Sequence, residues 1–311
     1  MTINLSSATV VQNLHDARVV WIMPATRHGN VDISLSCLAA DLYMEACKGR
    51  IIRVMHFRIE QWRAWAPGLE SADDWRRWRD APLCLSAAAE QPLPQQGATQ
   101  TVAAQPSAAQ PDVSFLPAMQ RRRLSHLARM AFQVAWPLAD AHGEQLPLVF
   151  VSRHGETPRT LAIIKDLAND EALSPTQFSL SVHNAVIGLW SIMRGDTSEM
   201  TALAGENDGL EHGVLEACTL LGEGAPAVLL VVAEEQPPAL YEPYIEDVPF
   251  SYAVALLLTP GDDWRLQLRN VDGPAAEWPH ALNLLRALVG EQHLLQHHWK
   301  SRQWTWSRNK A

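Results

Sequence analysis

Between residues 174 and 233 the hydrophobic pattern changes period several times, and the order of the changes predicts an α/β unit. Residues 178–193 (FSLSVHNAVIGLWSIM) carry apolar positions at helical spacing and are read as one helix. Met200 to Ala204 is a short apolar run, read as a buried strand, and Gly205-Glu206-Asn207-Asp208-Gly209 is a sharp turn. A second helix follows, then the continuous apolar run from Ala227 to Ala233 of a fully buried strand. In α/β folds, a strand that breaks abruptly into a helix displays a reactive group, because the helix N-terminus and the turn amides face one point. Here that turn contains neither Cys nor Ser.

The same reading extends in both directions. Met55-His56-Phe57-Arg58-Ile59 alternates as a strand, and Trp62, Trp65, Trp75 and Trp78 follow around a Pro67-Gly68 break. Those indoles are read as packing anchors whose N–H groups find local partners, with a ligand-stacking platform as the alternative. Residues 89–112 are rich in Pro, Gln, Ala and Ser and have no apolar period, which predicts a loop interrupting one domain. Ala118 to Ala141 is predicted as one long helix, with Met119, Leu124, Leu127, Met130 and Val134 on its buried face and Arg121, Arg122, Arg123 and Arg129 crowding its first half. Thr157-Pro158 is a helix start. After a Pro-rich connection from Pro237 to Pro249 come strands YAVALLL and WRLQLRNV, a helix over about His280 to Val289, and a strand-like HHWKSRQWTWSR tail. In residues 1–54, Arg18 to Ile22 is read as a strand, the stretch from Ile33 to Lys48 as a helix and Arg27-His28-Gly29 as a loop.

Composition narrows the function. A chain of 311 residues, 47% hydrophobic and 19% charged, buries a substantial core. Its formal net charge of -9 argues against a general nucleic-acid binder. Cys37, Cys47, Cys84 and Cys218 are scattered without metal-ligand spacing, so reduced thiols are expected. No apolar run is long enough to span a bilayer, and the N-terminus lacks the pattern of an export signal, so a cytoplasmic protein is expected. His293, His297 and His298 have no acidic companions nearby in sequence, and no metal site is expected from them.

Ser174-Pro175, Phe178, Asn184-Ala185, Gly188 and Ser191-Ile192, followed by strand, turn, helix and Gly222-Glu223-Gly224-Ala225, resemble the N-terminal half of β-ketoacyl synthases. Trp62-x-x-Trp65-Ala66-Pro67-Gly68, the Arg121 to Ser125 run and Ser152-Arg153-His154-Gly155-Glu156 resemble the ketosynthase-like chain length factors of aryl polyene and fatty-acid-like pathways. The resemblance covers roughly residues 55–306. It implies an α/β, thiolase-like fold in truncated form, a mixed sheet with flanking helices, over residues 55–311; residues 1–54 lie outside it and are either an appended element or, the favoured reading, a stretch preceding a true start at Met55.

Ketosynthase chemistry needs a Cys thiolate at the turn and two histidines. The resemblance puts the nucleophile position at about Asn207, or at Glu206 or Gly205 if the turn differs by a residue, and none of these forms a thioester. Cys218 lies further down the helix as a small core residue. A carboxylate or amide at the turn either mimics an acylated residue or caps the helix. The implied role is therefore a non-catalytic subunit paired with an active β-ketoacyl synthase. The interface would be formed by Ser181, Asn184, Gly188 and Ser191 of the helix and Thr201, Ala202, Leu203 and Ala204 of the strand. Arg121, Arg122, Arg123 and Arg129 would dock an acyl carrier protein, or are simply a solvated helix face. No cofactor is implied beyond the phosphopantetheine that a carrier protein brings.

Two other classes compete. A strand leading into Arg153-His154-Gly155-Glu156-Thr157 resembles the histidine phosphatase signature, with His154 as nucleophile and Arg153 and Arg159 holding phosphoryl oxygens. That motif normally opens its domain and needs a later His next to Gly; His212-Gly213 sits inside a helical pattern. The third class is a structural adaptor with no acyl role.

Overall fold

The computed structural model describes residues 53–82 and 110–309. Seven strands, β1 (Arg53–Trp65), β2 (Leu148–Val151), β3 (Met200–Leu203), β4 (Val228–Glu234), β5 (Tyr252–Asn270), β6 (Leu294–Trp299) and β7 (Arg302–Arg308), form one sheet in the order β3-β2-β4-β5-β7-β6, with β1 also pairing with β5. β2 pairs in parallel with β3 and β4; the pairings of β5 with β1, β4 and β7, and of β6 with β7, are antiparallel. The sheet is thus mixed, as expected.

Alternation along the strands sorts the core into two layers. Val149, Val151, Leu230, Val232, Val254 and Leu256 face one side. There they meet α1 (Ala72–Asp80), α7 (Gly209–Gly222) and α8 (His280–Val289). Leu148, Phe150, Leu229, Val231, Ala253 and Ala255 face the other side, against α3 (His126–His142) and α6 (Ala185–Arg194). The remaining helices are α2 (Ala118–Arg121), α4 (Thr157–Ala168), which starts at Thr157-Pro158, and α5 (Pro175–Ser179).

α7 lies unusually close to the sheet. A Cβ on Gly213 would fall 2.7 Å from Leu230 Cδ1 and 2.8 Å from Val151 Cγ2, so only glycine allows that approach. One turn of chain before the helix, a Cβ on Gly205 would fall 2.5 Å from the Gly209 Cα. The Gly205, Gly209, Gly213 series is therefore a packing seam that fixes where the β3–α7 turn sits.

Several expectations are corrected. The predicted helix 178–193 is two helices, α5 and α6, because the chain turns between Leu180 and Asn184. The predicted helix from Ala118 to Ala141 is also two, because Ser125 caps α3, accepting from the Ala128 N–H at 3.0 Å. Met119, placed on the buried face, is 81% exposed on the short α2. β3 is half-buried, since it lies at the sheet edge with β2 on one side only. YAVALLL and WRLQLRNV are the two ends of a single strand, β5, and β1 pairs along both, its register jumping from Arg58↔Thr259 to Phe57↔Trp264.

Trp65, Trp75 and Trp78 are core anchors, but their indole N–H groups have no hydrogen-bond partner. They sit among aromatic rings, Trp78 meeting Trp75, Phe250 and Trp278 edge to face with centroids 5.6, 5.9 and 5.1 Å apart. The strand and helix expected in residues 1–54, Arg27-His28-Gly29, and Cys37, Cys47 and Cys84 lie outside the described residues, as does most of the predicted loop 89–112. Among the described residues no helix is long and apolar enough to cross a membrane.

Candidate functional site

The turn after β3 is where the fold concentrates its charge. The β6–β7 hairpin, whose tip holds Lys300 at φ 52, reaches back over this turn. Glu206 accepts hydrogen bonds from Trp299 Nε1 at 2.7 Å, Lys300 Nζ at 2.8 Å and Arg302 Nη2 at 3.3 Å. Partial burial opposes its ionisation, but Lys300, Trp299 and Arg302 together outweigh that and bring the carboxyl down to about 2. Asp208, fully buried at the N-cap of α7, accepts Arg302 on both oxygens, at 2.6 and 3.0 Å, and Trp304 Nε1 at 3.0 Å. Its side chain makes no helix-capping bond, so the capping expected at this turn is replaced by ion pairing with a strand nearly a hundred residues later. Asn207 accepts from Arg153 Nη1.

Arg153 and His154 follow β2 and share one carboxylate: Arg153 Nη1 donates to Asp247 Oδ2 at 2.8 Å, and His154 Nε2 lies 3.0 Å from Asp247 Oδ1. Arg159 points elsewhere, pairing with Glu156 at 3.2 Å and donating to the Arg123 carbonyl at 2.9 Å. The three residues of the phosphatase reading therefore do not converge on one phosphoryl position.

Between the turn, β4, β5 and the start of α8 lies a cavity of about 520 Å³, at the C-terminal ends of the parallel strands where α/β folds hold ligands. Val151, Leu210, Val232, Tyr252 and Trp278 give it apolar walls. Glu234, at the end of β4, is its buried polar group, accepting from Ser152 Oγ at 3.2 Å and from the Arg153 and His154 N–H groups. Burial raises the Glu234 carboxyl to about 7 despite those donors.

Behind the cavity, Glu211 is fully buried on α7 and accepts from His280 Nδ1 at 2.8 Å, His297 Nδ1 at 2.6 Å and Trp306 Nε1 at 3.1 Å. Glu211 is thus the acidic companion that the sequence did not reveal for His297, and His293 and His298 are not part of the group. Among the described residues these three could bring donor atoms within reach of one metal ion. The two imidazoles are stacked, centroids 4.1 Å apart and planes 21° from parallel, and both Nδ1 atoms are taken up by hydrogen bonds to the one carboxylate. Cys218 is mostly buried and burial pushes its thiol up to about 12, which suits a packing role.

The residues expected at a partner interface form a different surface. Among the described residues β3 has no neighbour beyond it, and Ala204, just past its end, is exposed. On α6, Asn184, Gly188 and Ile192 are exposed and spaced four apart on one face, while Ala185, Val186, Leu189 and Trp190 are buried. Phe178 and Val182 add exposed apolar surface at 61% and 40%. Ser181 and Ser191 are half-buried, their hydroxyls donating to the Phe178 and Asp196 carbonyls at 2.8 and 2.6 Å. Of the arginines, Arg122 and Arg123 are exposed and Arg121 half-buried, whereas Arg129 Nη2 donates to the Arg121 carbonyl at 2.7 Å and ties α3 to α2.

Comparison with known proteins agrees with this geometry. The β-ketoacyl synthase N-terminal domain family matches residues 94–307. A solved ketosynthase (ApeO) in complex with its chain length factor (ApeC) from Xenorhabdus doucetiae contains a chain 30% identical, with a TM-score of 0.66; the alignment covers 82% of this chain and 100% of that one. The ishigamide ketosynthase/chain length factor is 18% identical with a TM-score of 0.48, the alignment covering 67% of this chain and 62% of that one. No curated protein matches the chain.

Proposed function

Because the chain belongs to the β-ketoacyl synthase family through its N-terminal domain, we propose that it is a non-catalytic ketosynthase-like subunit of the chain-length-factor kind, pairing with a Cys-bearing β-ketoacyl synthase during elongation of a polyene or fatty-acid-like chain. The observation that carries this reading is the β3–α7 turn. Where a ketosynthase needs a thiolate, this chain has Gly205, Glu206 and Asn207, two of them locked to Lys300, Arg302, Trp299 and Arg153. A carboxylate held by two cations and an indole N–H is a weak nucleophile towards a thioester, and no group in the turn activates one. The covalent step then falls to the partner's cysteine, and this chain supplies shape. The resemblance to a ketosynthase and chain length factor complex supports the pairing.

The open β3 edge and the exposed Asn184, Gly188 and Ile192 face of α6 suit the partner contact. An unpaired strand edge is an aggregation liability that a partner strand removes, and an obligate contact of this kind buries well over ~1,000 Å². The acyl carrier protein is the third member, with Arg122 and Arg123 as exposed docking charges.

Co-expression with its Cys-bearing β-ketoacyl synthase partner is expected to yield a stable one-to-one complex, read by size-exclusion chromatography with mass measurement. Ala204→Arg, at an exposed position, is expected to abolish the complex while circular dichroism shows the fold intact. The purified chain alone is expected to give no condensation product from acyl and malonyl carrier-protein substrates. Steady product formation without a partner, or a complex indifferent to Ala204→Arg, overturns the reading.

A further inference from the structure

The Glu211, His280 and His297 group joins three parts of the chain that meet nowhere else by covalent connection: α7 just after the turn, the first residue of α8, and the β6–β7 hairpin. His280 and Ala281, with His298 and Trp299 of β6, form one wall of the cavity. We propose that Glu211, His280 and His297 are a one-proton latch, in which a single extra proton, carried by His280 stacked on a neutral His297 and facing one buried carboxylate, holds that wall against the β3–α7 turn.

Donor and acceptor counting fixes the proton number. Glu211 uses both oxygens, so each imidazole must carry a proton on Nδ1. The second nitrogen of His280, at the cavity wall, is not a buried group left without a partner, so it can carry a proton. His297 Nε2 is buried with no partner among the described residues, and a proton there would be an N–H with none of them to receive it. The favoured state is therefore one imidazolium, His280, one neutral imidazole, His297, and an ionised Glu211. The surroundings agree. Burial works against a charged His280, but Glu211 and then Asp208 outweigh it and raise its affinity for the proton. Burial lowers His297, and His280 and His298 lower it further despite Glu211. Glu211 is held well below the usual carboxylate range by the two histidines, against its burial. Arg302 of β7 is committed to Asp208 and Glu206, and Lys300 to Glu206; Arg153 and Asp247, across the cavity, are paired with each other.

The sign follows. His280 binds its proton more tightly folded than unfolded, so the latch is complete below about 6.5, the unperturbed histidine value, and is lost as pH rises through the higher folded value. A neutral pair then leaves a buried carboxylate without its cation, and the wall is the part that can move.

The test uses the full chain with isotope-labelled histidine rings. Ring-nitrogen NMR is expected to show His280 doubly protonated at pH 7 and His297 as the neutral Nδ1–H form at pH 6. Amide exchange in α8 and β6, corrected for the intrinsic pH effect, is expected to speed at least tenfold across the His280 titration, while α3 on the opposite face of the sheet is unchanged. His280→Gln, which keeps a donor but cannot gain a charge, is expected to abolish that pH dependence. Two neutral imidazoles at pH 6, exchange indifferent to pH, or one-to-one zinc binding that shifts both rings in metal-stripped protein overturns the proposal. None of these readouts depends on a partner, so failure here leaves the subunit reading standing.

Discussion

The two flanks of the short parallel strand β3 are built on opposite terms. Past its C-terminal end, Glu206, Asp208 and Glu211 are tied by hydrogen bonds to Trp299, Lys300, Arg302, Trp304, Trp306 and two histidines. Along its other side, the strand has no neighbour among the described residues, and Asn184, Gly188 and Ile192 at α6 are exposed. The first region is closed on itself, with every charge matched inside the subunit. The second has its hydrogen-bonding and apolar capacity unspent. Under the proposed reading, the first region needs no reactive turn and the second is where another chain would pair. Substitutions at the closed flank are therefore expected to damage the fold, and those at the open flank only the assembly.

The largest effect is expected at the closed flank. Arg302→Met removes the cation that Asp208, fully buried, accepts on both oxygens. Breaking a buried pair by removing one partner costs about 3–5 kcal/mol, and urea unfolding should show a lower midpoint of that size. A midpoint within error of wild type would mean the turn is not fastened by the hairpin.

Next comes the seam beneath it. Gly213→Val forces a side chain into Leu230 and Val151, and overpacking of this kind costs roughly 1–3 kcal/mol. Thermal unfolding monitored by tryptophan fluorescence checks it.

The cavity sets a pH dependence. Glu234 is raised by burial to about 7 from an ordinary 4.5. A carboxyl raised on folding favours the protonated form in the native state, so its contribution is full below about 4.5, falls as pH climbs towards 7, and is constant above. The loss is on the order of 1–3 kcal/mol. Chemical denaturation at pH 5 and pH 8 should show this slope in the wild type and a smaller one in Glu234→Gln; equal slopes would show that Glu234 holds no proton in the fold.

The smallest change in stability belongs to the open flank. Ile192→Glu, at a position 66% exposed, is expected to alter the unfolding free energy of the isolated chain by no more than about 0.5 kcal/mol, yet to weaken a ketosynthase complex measured by titration calorimetry. A large loss of monomer stability would instead place Ile192 in the subunit's own core.

The local pattern of the sequence determined the order of helices and strands, the mixed α/β class and the absence of a nucleophile at the β3–α7 turn. Periodicity and residue identity are local properties, and a strand such as AVLLVVA has no other way to bury both faces. It was less reliable where a cap or turn overrides a helical period, as at Ser125 and between Leu180 and Asn184. The charge network was not legible at all. Asp208 meets Arg302 across 94 positions, and Glu211 meets His280 across 69 and His297 across 86. No spacing rule connects residues so far apart, and a buried acid in a helical run reads as a solvated one until the hairpin that covers it is in place. Which strand edge stays open was likewise decided only when the sheet assembled, because an edge is defined by its missing neighbour and not by its own residues.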